Sequence, residues 1–211
     1  MRRKAGASAL LTVFVLVGCG ATEPQEGLTE AARAAGTMDE TRTELLEEAR
    51  ERSTTDFERE TLDRAIANGG LTRQDYEEAF DRYQECAEAA GLQETYRKMP
   101  SGLYRLVETG AGDSEDSTAA AMDANAECAD GTIMRIESMY ALQVGNPHLL
   151  ADPRAAVIQC LYEQGYAQAD YSTSDFDRDM EDGMRSAPFD LADEAVDDCF
   201  YSSGFAISAH K

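Results

Sequence analysis

The chain has 211 residues, 41 acidic against 19 basic, for a formal net charge of −22. A surface this acidic repels nucleic acid and anionic headgroups, which excludes both as partners held by charge. The bulk of the carboxylates reads as a solvated face that keeps the protein soluble.

Met1-Arg2-Arg3-Lys4 is a compact positive start, and an apolar run follows over residues 9–17. That run is far shorter than the roughly 20 residues a spanning helix needs, so it reads as a secretory signal. It closes with Leu16-Val17-Gly18-Cys19, which resembles the bacterial lipobox. The resemblance implies a diacylglycerol thioether on Cys19, cleavage after Gly18, and Cys19 as the first mature residue, with palmitate-type acyl chains. The expected location is the extracytoplasmic face of the cell membrane, held by this lipid anchor. Loss of Arg2, Arg3 and Lys4 with residues 1–18 would take the charge from −22 to −25.

Residues 19–38 are small, polar and acidic, with Pro24, Gly27 and Gly36, and read as a flexible tether. An extracytoplasmic domain is then expected over residues 39–211, in halves of about 39–148 and 149–211. Leu45, Leu46 and Ala49 give a sparse helical stripe. Ser53-Thr54-Thr55-Asp56 offers a fresh cap before Phe57, Leu62 and Ile66, and Asn68-Gly69-Gly70 stops that helix. Thr72 with Asp75 starts another, carrying Tyr76, Ala79, Phe80 and Tyr83 at helical spacing. The stretch looks superficially like the exit helix of a calcium-binding EF-hand. With Asp75 as the last ligand, however, Arg64 and Ile66 would fall where carboxylates are required, so no calcium loop is present.

Residues 95–98 and 103–108 flank Met99-Pro100-Ser101-Gly102 and read as a small hairpin. A loop over 110–117 precedes a helix with Cys128, which Asp130-Gly131 breaks before Ile133, Ile136, Met139 and Tyr140 resume an apolar face. Asn146-Pro147 ends the first half. Asp152-Pro153 is a cap followed by an N1 proline for a helix running to Gly165. Ser172 with Asp175 caps a short helix, and Pro188-Phe189-Asp190 leads into a last one that stops near Gly204. One mainly helical core is expected from Phe57, Leu62, Ile66, Tyr76, Phe80, Tyr83, Ile133, Ile136, Tyr140, Val157, Leu161, Phe176, Val196 and Phe200, with the hairpin on its edge.

Four cysteines remain after Cys19: Cys86, Cys128, Cys160 and Cys199. An even number in an exported chain reads as two disulfides with three connectivities open. Sequence proximity selects Cys86–Cys128 and Cys160–Cys199, one pair within each half. Metal binding is disfavoured, because no C-x-x-C pair exists and His148 and His210 lie outside any ligand spacing. "CAEAAGL", "CLYEQGY" and "CFYSSGF" share one pattern, a cysteine near the last turn and a glycine fit for the left-handed residue after the helix. "CADGT" is a shortened variant, and together they suggest two helix-rich halves.

The stretch "TTDFERETLDRAIANGGLTRQDYEEAFDRYQECAEAAGL", with "CADGTIMRIESMYALQVGNPHLLADP" and "CLYEQG", resembles a group of uncharacterised actinobacterial cell-envelope lipoproteins over most of residues 53–205. That resemblance carries location and domain extent, and brings no catalytic residue with it.

No G-x-S-x-G elbow, phosphate-binding glycine loop, H-E-x-x-H or dinucleotide fingerprint occurs. Ser208-Ala209-His210-Lys211 matches S-x-x-K, but that motif needs its serine at the start of a buried helix. "DFDRDMEDG" over residues 175–183 carries five carboxylates that a helix would spread around its surface. No catalytic, cofactor or metal residue is assigned. The expected function is a non-enzymatic binding or interaction module at the cell envelope, with an envelope protein or cell-wall partner. The rival is a carboxylate-using cell-wall hydrolase, which requires two close carboxylates in a pocket, one with a raised pKa.

Overall fold

The computed structural model describes residues 27–110 and 115–205. Cys19 with its lipobox-like surroundings, and the S-x-x-K match at residues 208–211, lie outside the described residues. The chain is mainly helical, with a two-stranded antiparallel hairpin and two disulfides. In chain order the elements are α1 (Glu30–Ala35), α2 (Arg42–Glu51), α3 (Asp56–Asn68), α4 (Arg73–Ala89), β1 (Glu94–Lys98), β2 (Tyr104–Thr109), α5 (Glu115–Ala129), α6 (Met134–Gly145), α7 (Pro153–Glu163), α8 (Thr173–Glu181) and α9 (Glu194–Ser202).

Local chemistry sets most helix starts. Thr72 with Asp75 and Ser172 with Asp175 form reciprocal capping boxes on α4 and α8, and Thr41 with Glu44 adds a third on α2. Each satisfies two of the backbone N–H groups a helix start leaves unpaired. The Ser53–Asp56 run starts α3 from Thr55, whose hydroxyl accepts from the Glu58 N–H. Asp152 caps α7, with Pro153 in the first turn.

The repeated cysteine pattern is one geometry made three times. Gly91, Gly165 and Gly204 adopt φ of +80°, +81° and +84°. The next N–H, of Leu92, Tyr166 or Phe205, returns to the carbonyl of Ala87, Leu161 or Phe200. That is the closing bond of a Schellman end, and in each case the cysteine precedes the accepting residue. Cys86 then pairs with Cys128, and Cys160 with Cys199, at sequence separations of 42 and 39. In the hairpin, Lys98 lies opposite Tyr104 and Tyr96 opposite Leu106, with an irregularity between Thr95 and Tyr96.

The apolar side chains form two clusters rather than the single core expected. One gathers α2 to α6 and the hairpin around Leu62, Tyr76, Phe80, Ile136 and Tyr140. The other gathers α1 and α7 to α9 around Val157, Leu161, Phe176, Val196 and Phe200. Phe57 and Ile66 are only partly buried, whereas the other core candidates are buried. The physical reason for the split is a polar seam. α9 turns Val196, Cys199 and Phe200 into the second cluster. Its other side meets the hairpin through charged and hydroxyl groups. Asp198 accepts from Ser101 N and Oγ, each at 2.7 Å, and Asp197 pairs with Arg97 at 2.7 Å and with Arg105. The Tyr201 hydroxyl donates to the Tyr104 carbonyl at 3.0 Å. At the same seam a Cβ on Gly145 would stand 2.1 Å from the Ser202 carbonyl oxygen, so only glycine fits where α6 ends against α9.

Residues 27–38 correct the tether expectation. Thr29 is buried and caps α1, its N–H donates to Gln159 Oε1 at 2.9 Å, and Gln159 Nε2 donates to Gly27 O at 2.9 Å. Ala31 and Ala32 are buried in the second cluster, Glu30 N donates to Ala169 O at 3.0 Å, and Thr37 bridges to Leu150. Alanine and threonine give no apolar stripe in sequence, but they allow close approach to α7, and the anchoring amide lies 130 residues away.

Two outcomes test this architecture. Replacing Cys160 and Cys199 by Ala opens a loop of about 40 residues, for which chain entropy gives roughly 4 kcal/mol of lost stability. Chemical denaturation should show that loss, and far-UV CD melting at low ionic strength should show a lower midpoint that added salt partly restores by screening. A midpoint unchanged after verified loss of the bond would show that packing alone suffices. Separately, a chain starting at Met38 should melt well below one starting at Gly27, because it uncovers the α7 side of the second cluster. Equal midpoints would restore the tether reading for residues 27–37.

Candidate functional site

The residues singled out in sequence scatter into separate structural jobs. Of the five carboxylates near α8, Asp175 serves the capping box, Asp177 pairs with Arg154 at 2.6 Å, and buried Asp179 accepts from the Tyr171 hydroxyl at 2.8 Å. Asp182 accepts from Arg185 N at 2.9 Å, and Glu181 is exposed. The Ser172 hydroxyl, its N–H and then Arg178 hold Asp175 down at about 2. No group of three potential ligands that could hold a metal occurs among the described residues. His148 sits on the loop after α6, its Nε2 3.1 Å from Glu163 Oε1.

Two hollows compete as sites. The larger, about 750 Å³, lies between α1 and the 148–163 segment and is bordered by Gly27, Leu28, Leu150 and Tyr162. Its charged groups are engaged within the fold: Arg33 donates to Leu28 O at 2.6 Å, and Glu163 accepts from Gln159 at 2.8 Å while facing His148. The smaller, about 190 Å³, lies between α4, the hairpin, α5, α6 and Tyr201 of α9. Its chemistry is less resolved by the fold, and it is the better candidate.

The smaller pocket is built from aromatic packing. Phe80 and Tyr104 stack at 3.9 Å between ring centroids, and Tyr96 meets Phe80 edge-on at 5.0 Å. Helical spacing puts Tyr76, Phe80 and Tyr83 on one side of α4, and strand alternation puts Tyr96, Tyr104 and Leu106 over them. Behind this wall Glu94 is fully occupied. Its Oε2 accepts from the Tyr83 and Tyr96 hydroxyls at 2.6 and 2.9 Å, and its Oε1 from Asn125 Nδ2 at 3.0 Å. Burial and then the Glu94 hydrogen bond push Tyr83 up to about 12, and burial and then Tyr83 push Tyr96 higher still.

Glu137 of α6 is the one carboxylate among the described residues lining this pocket. It is half-buried, and its side chain has no hydrogen bond or ion pair among the described residues. Burial alone pushes its carboxyl from 4.5 to about 7. Other enclosed carboxylates are served differently: Glu58 by Arg135 and the Thr54 N–H, Asp198 by Ser101, and Asp75 by Thr72 and Arg64. The sequence reading passed over Glu137. The signal was present, since Glu137 lies four residues after Ile133 and three before Tyr140, inside the apolar stripe of α6.

Comparison with family models, curated proteins and solved structures returns no match.

A carboxyl with a higher pKa folded than unfolded binds more protons when folded. Its contribution is therefore full below about pH 4.5 and is lost as pH rises through about 7. Glu137→Gln should accordingly match the wild type in stability near pH 4.5 and exceed it by pH 8. The shift sets an upper bound of about 3 kcal/mol, reduced by water admitted at the pocket mouth. Urea titrations of both proteins from pH 4.5 to 8 measure the difference, and a pH-independent gap would refute the assignment.

Proposed function

We propose that the protein is a lipid-anchored, extracytoplasmic binding module of the cell envelope, of the kind its lipobox-like N-terminus resembles, and that the hairpin pocket is its receptor site. The observation that carries the binding reading is the lone carboxylate in an aromatic pocket. The usual two-carboxylate route to glycosidic hydrolysis places two carboxyl groups on either side of the bond. Here Glu137 is the one carboxylate among the described residues lining the pocket, and Glu94 behind it has both oxygens committed to Tyr83, Tyr96 and Asn125. A raised pKa on Glu137 is half of what a carboxylate-using cell-wall hydrolase requires, and no second carboxylate lines the pocket among the described residues.

The location reading is supported by the Leu16-Val17-Gly18-Cys19 stretch and by two disulfides, which persist in oxidising compartments. No described helix is long and apolar enough to cross a membrane. Two or more acyl chains on Cys19 would supply anchoring, since each buried CH₂ contributes about 0.8 kcal/mol.

Expressed in a bacterial host, the wild type should be processed and partition into the detergent phase, whereas Cys19→Ala should stay unprocessed, unlipidated and outside it. Equal partitioning would sink the anchor. Incubation with purified cell wall should release no soluble fragments. Release that Glu137→Gln abolishes would establish the hydrolase instead.

A further inference from the structure

Resting on the reading of the hairpin pocket as a receptor site, we propose that its ligand is a small organic cation of the quaternary ammonium type, seated against the aromatic walls with its charge on Glu137. The pocket lining selects this class by elimination and by fit. Among the described residues no Lys or Arg lines it, and the one charged group lining it is a carboxylate, which disfavours an anion by repulsion. A hard metal ion takes six or more oxygen ligands, whereas the described lining offers one carboxylate, and the Asn125 amide nitrogen is given to the Tyr83 hydroxyl at 2.6 Å and to Glu94. A sugar needs a fan of donors and acceptors, yet the Tyr83 and Tyr96 hydroxyls are both spent on Glu94.

A quaternary ammonium asks for none of these. It carries no N–H to satisfy, its methyl groups seek apolar and aromatic contact, and its diffuse charge seeks one counter-ion. Phe80, Tyr96, Tyr104, Leu106 and Ile133 give the contact surface, and Glu137 gives the charge. The volume, about 190 Å³, is roughly six times a water's share of the liquid, which suits a headgroup of a few heavy atoms. The surrounding rings already hold cations elsewhere: Arg105 stands 5.3 Å from the Tyr201 ring and Lys98 5.3 Å from that of Tyr104. Both of these are neutralised by other carboxylates, Arg105 by Asp197 and Lys98 by Glu77. Among the described residues lining the pocket, Glu137 is the carboxylate without a cation.

The groups around Glu137 do not compete with it for protons in the neutral range. On α4, burial and then the Glu137 charge push Tyr76 far up, and Tyr83 stands at about 12. Tyr96 on β1 and Tyr201 on α9 are raised as well, both first by burial. Arg105 on β2 pairs with Asp197, and Asn125 on α5 does not titrate. A permanent cation therefore reports the protonation of Glu137 alone. As pH rises towards 7 its binding should tighten by up to about tenfold per unit, releasing a proton in that range, and it should level off by pH 8.

The test is isothermal calorimetry and ¹H–¹⁵N NMR of the full chain with choline and with tetramethylammonium, from pH 5.5 to 8. Neohexyl alcohol, the uncharged carbon isostere of choline, is the control. Expected are shifts at Tyr96, Tyr104 and Glu137, the stated pH dependence, at least tenfold weaker binding of the isostere, and loss of choline binding in Glu137→Gln. That variant should keep the wild-type CD spectrum and melt no lower, which separates a lost ligand from a lost fold. Isostere binding as tight as choline's would overturn the cation while leaving a receptor pocket. Absence of binding by either cation at tens of millimolar, or choline binding undiminished in Glu137→Gln, would overturn the proposal outright. Wall hydrolysis dependent on Glu137 would overturn the receptor reading beneath it.

Discussion

The structure turns on α9, nine residues that must face two environments at once. Helical spacing gives Val196, Cys199 and Phe200 one side and Asp197, Asp198 and Tyr201 the other. The first side closes the second apolar cluster and is tied to α7 through the Cys160–Cys199 bond. The other side holds the hairpin by ion pairs and hydroxyl bonds, with the Tyr201 ring packed against the first cluster. Because Gly145 lets α6 end directly against Ser202, the helix is fixed along its length as well as about its axis. The hairpin is only two strands, too little to stand alone. Its position over α4, and hence the shape of the pocket, depends on α9 holding it from outside.

That dependence explains how so acidic a chain assembles a core. The carboxylates that enter the interior are met by specific donors, as Glu58 is by Arg135 and Thr54, and Asp179 by Tyr171. Leaving such a partner out costs the full desolvation of the group. The repeated Schellman ends solve the opposite problem at the helix C-termini, returning an N–H to carbonyls that would otherwise be unpaired. They also hold Cys86, Cys160 and Cys199 in the final turns, so each disulfide joins elements at ends that are already ordered. The cross-links thus act against charge repulsion at the points where the helices would otherwise fray.

What was legible in the sequence is what is decided locally. The Thr72–Asp75 and Ser172–Asp175 boxes, Gly69, the Pro153 start and the Met99–Gly102 turn each involve residues within a few positions of one another. The disulfide pairing was also reachable, because each partner is the neighbouring cysteine in sequence. α1 was not, because its amphipathic signal is carried by alanines and its fixing bond comes from Gln159, more than a hundred residues on. The repeated cysteine ends suggested two halves, and apart from α1 the two clusters follow them, but the polar seam between the clusters was hidden. It depends on Asp197 and Asp198 meeting Arg97, Arg105 and Ser101 across the fold, and pattern alone reads such residues as solvent-facing.

Glu137 belongs to a third class, legible but discounted. A stripe of Ile133, Ile136 and Tyr140 with a glutamate inside it invites the assumption that the acid reaches out to water. The structure instead leaves it facing rings, with no donor among the described residues. A leucine or methionine there would extend the apolar face of α6, fill part of the hollow and remove the desolvation that raises the carboxyl to about 7. Fold stability alone therefore gains nothing from a carboxylate at this position. Every other enclosed acid described above is tied to a cap, a cation or a hydroxyl whose loss would disturb the packing. Glu137 is tied to none of them, and that separates a group maintained by the architecture from one whose use must lie outside it.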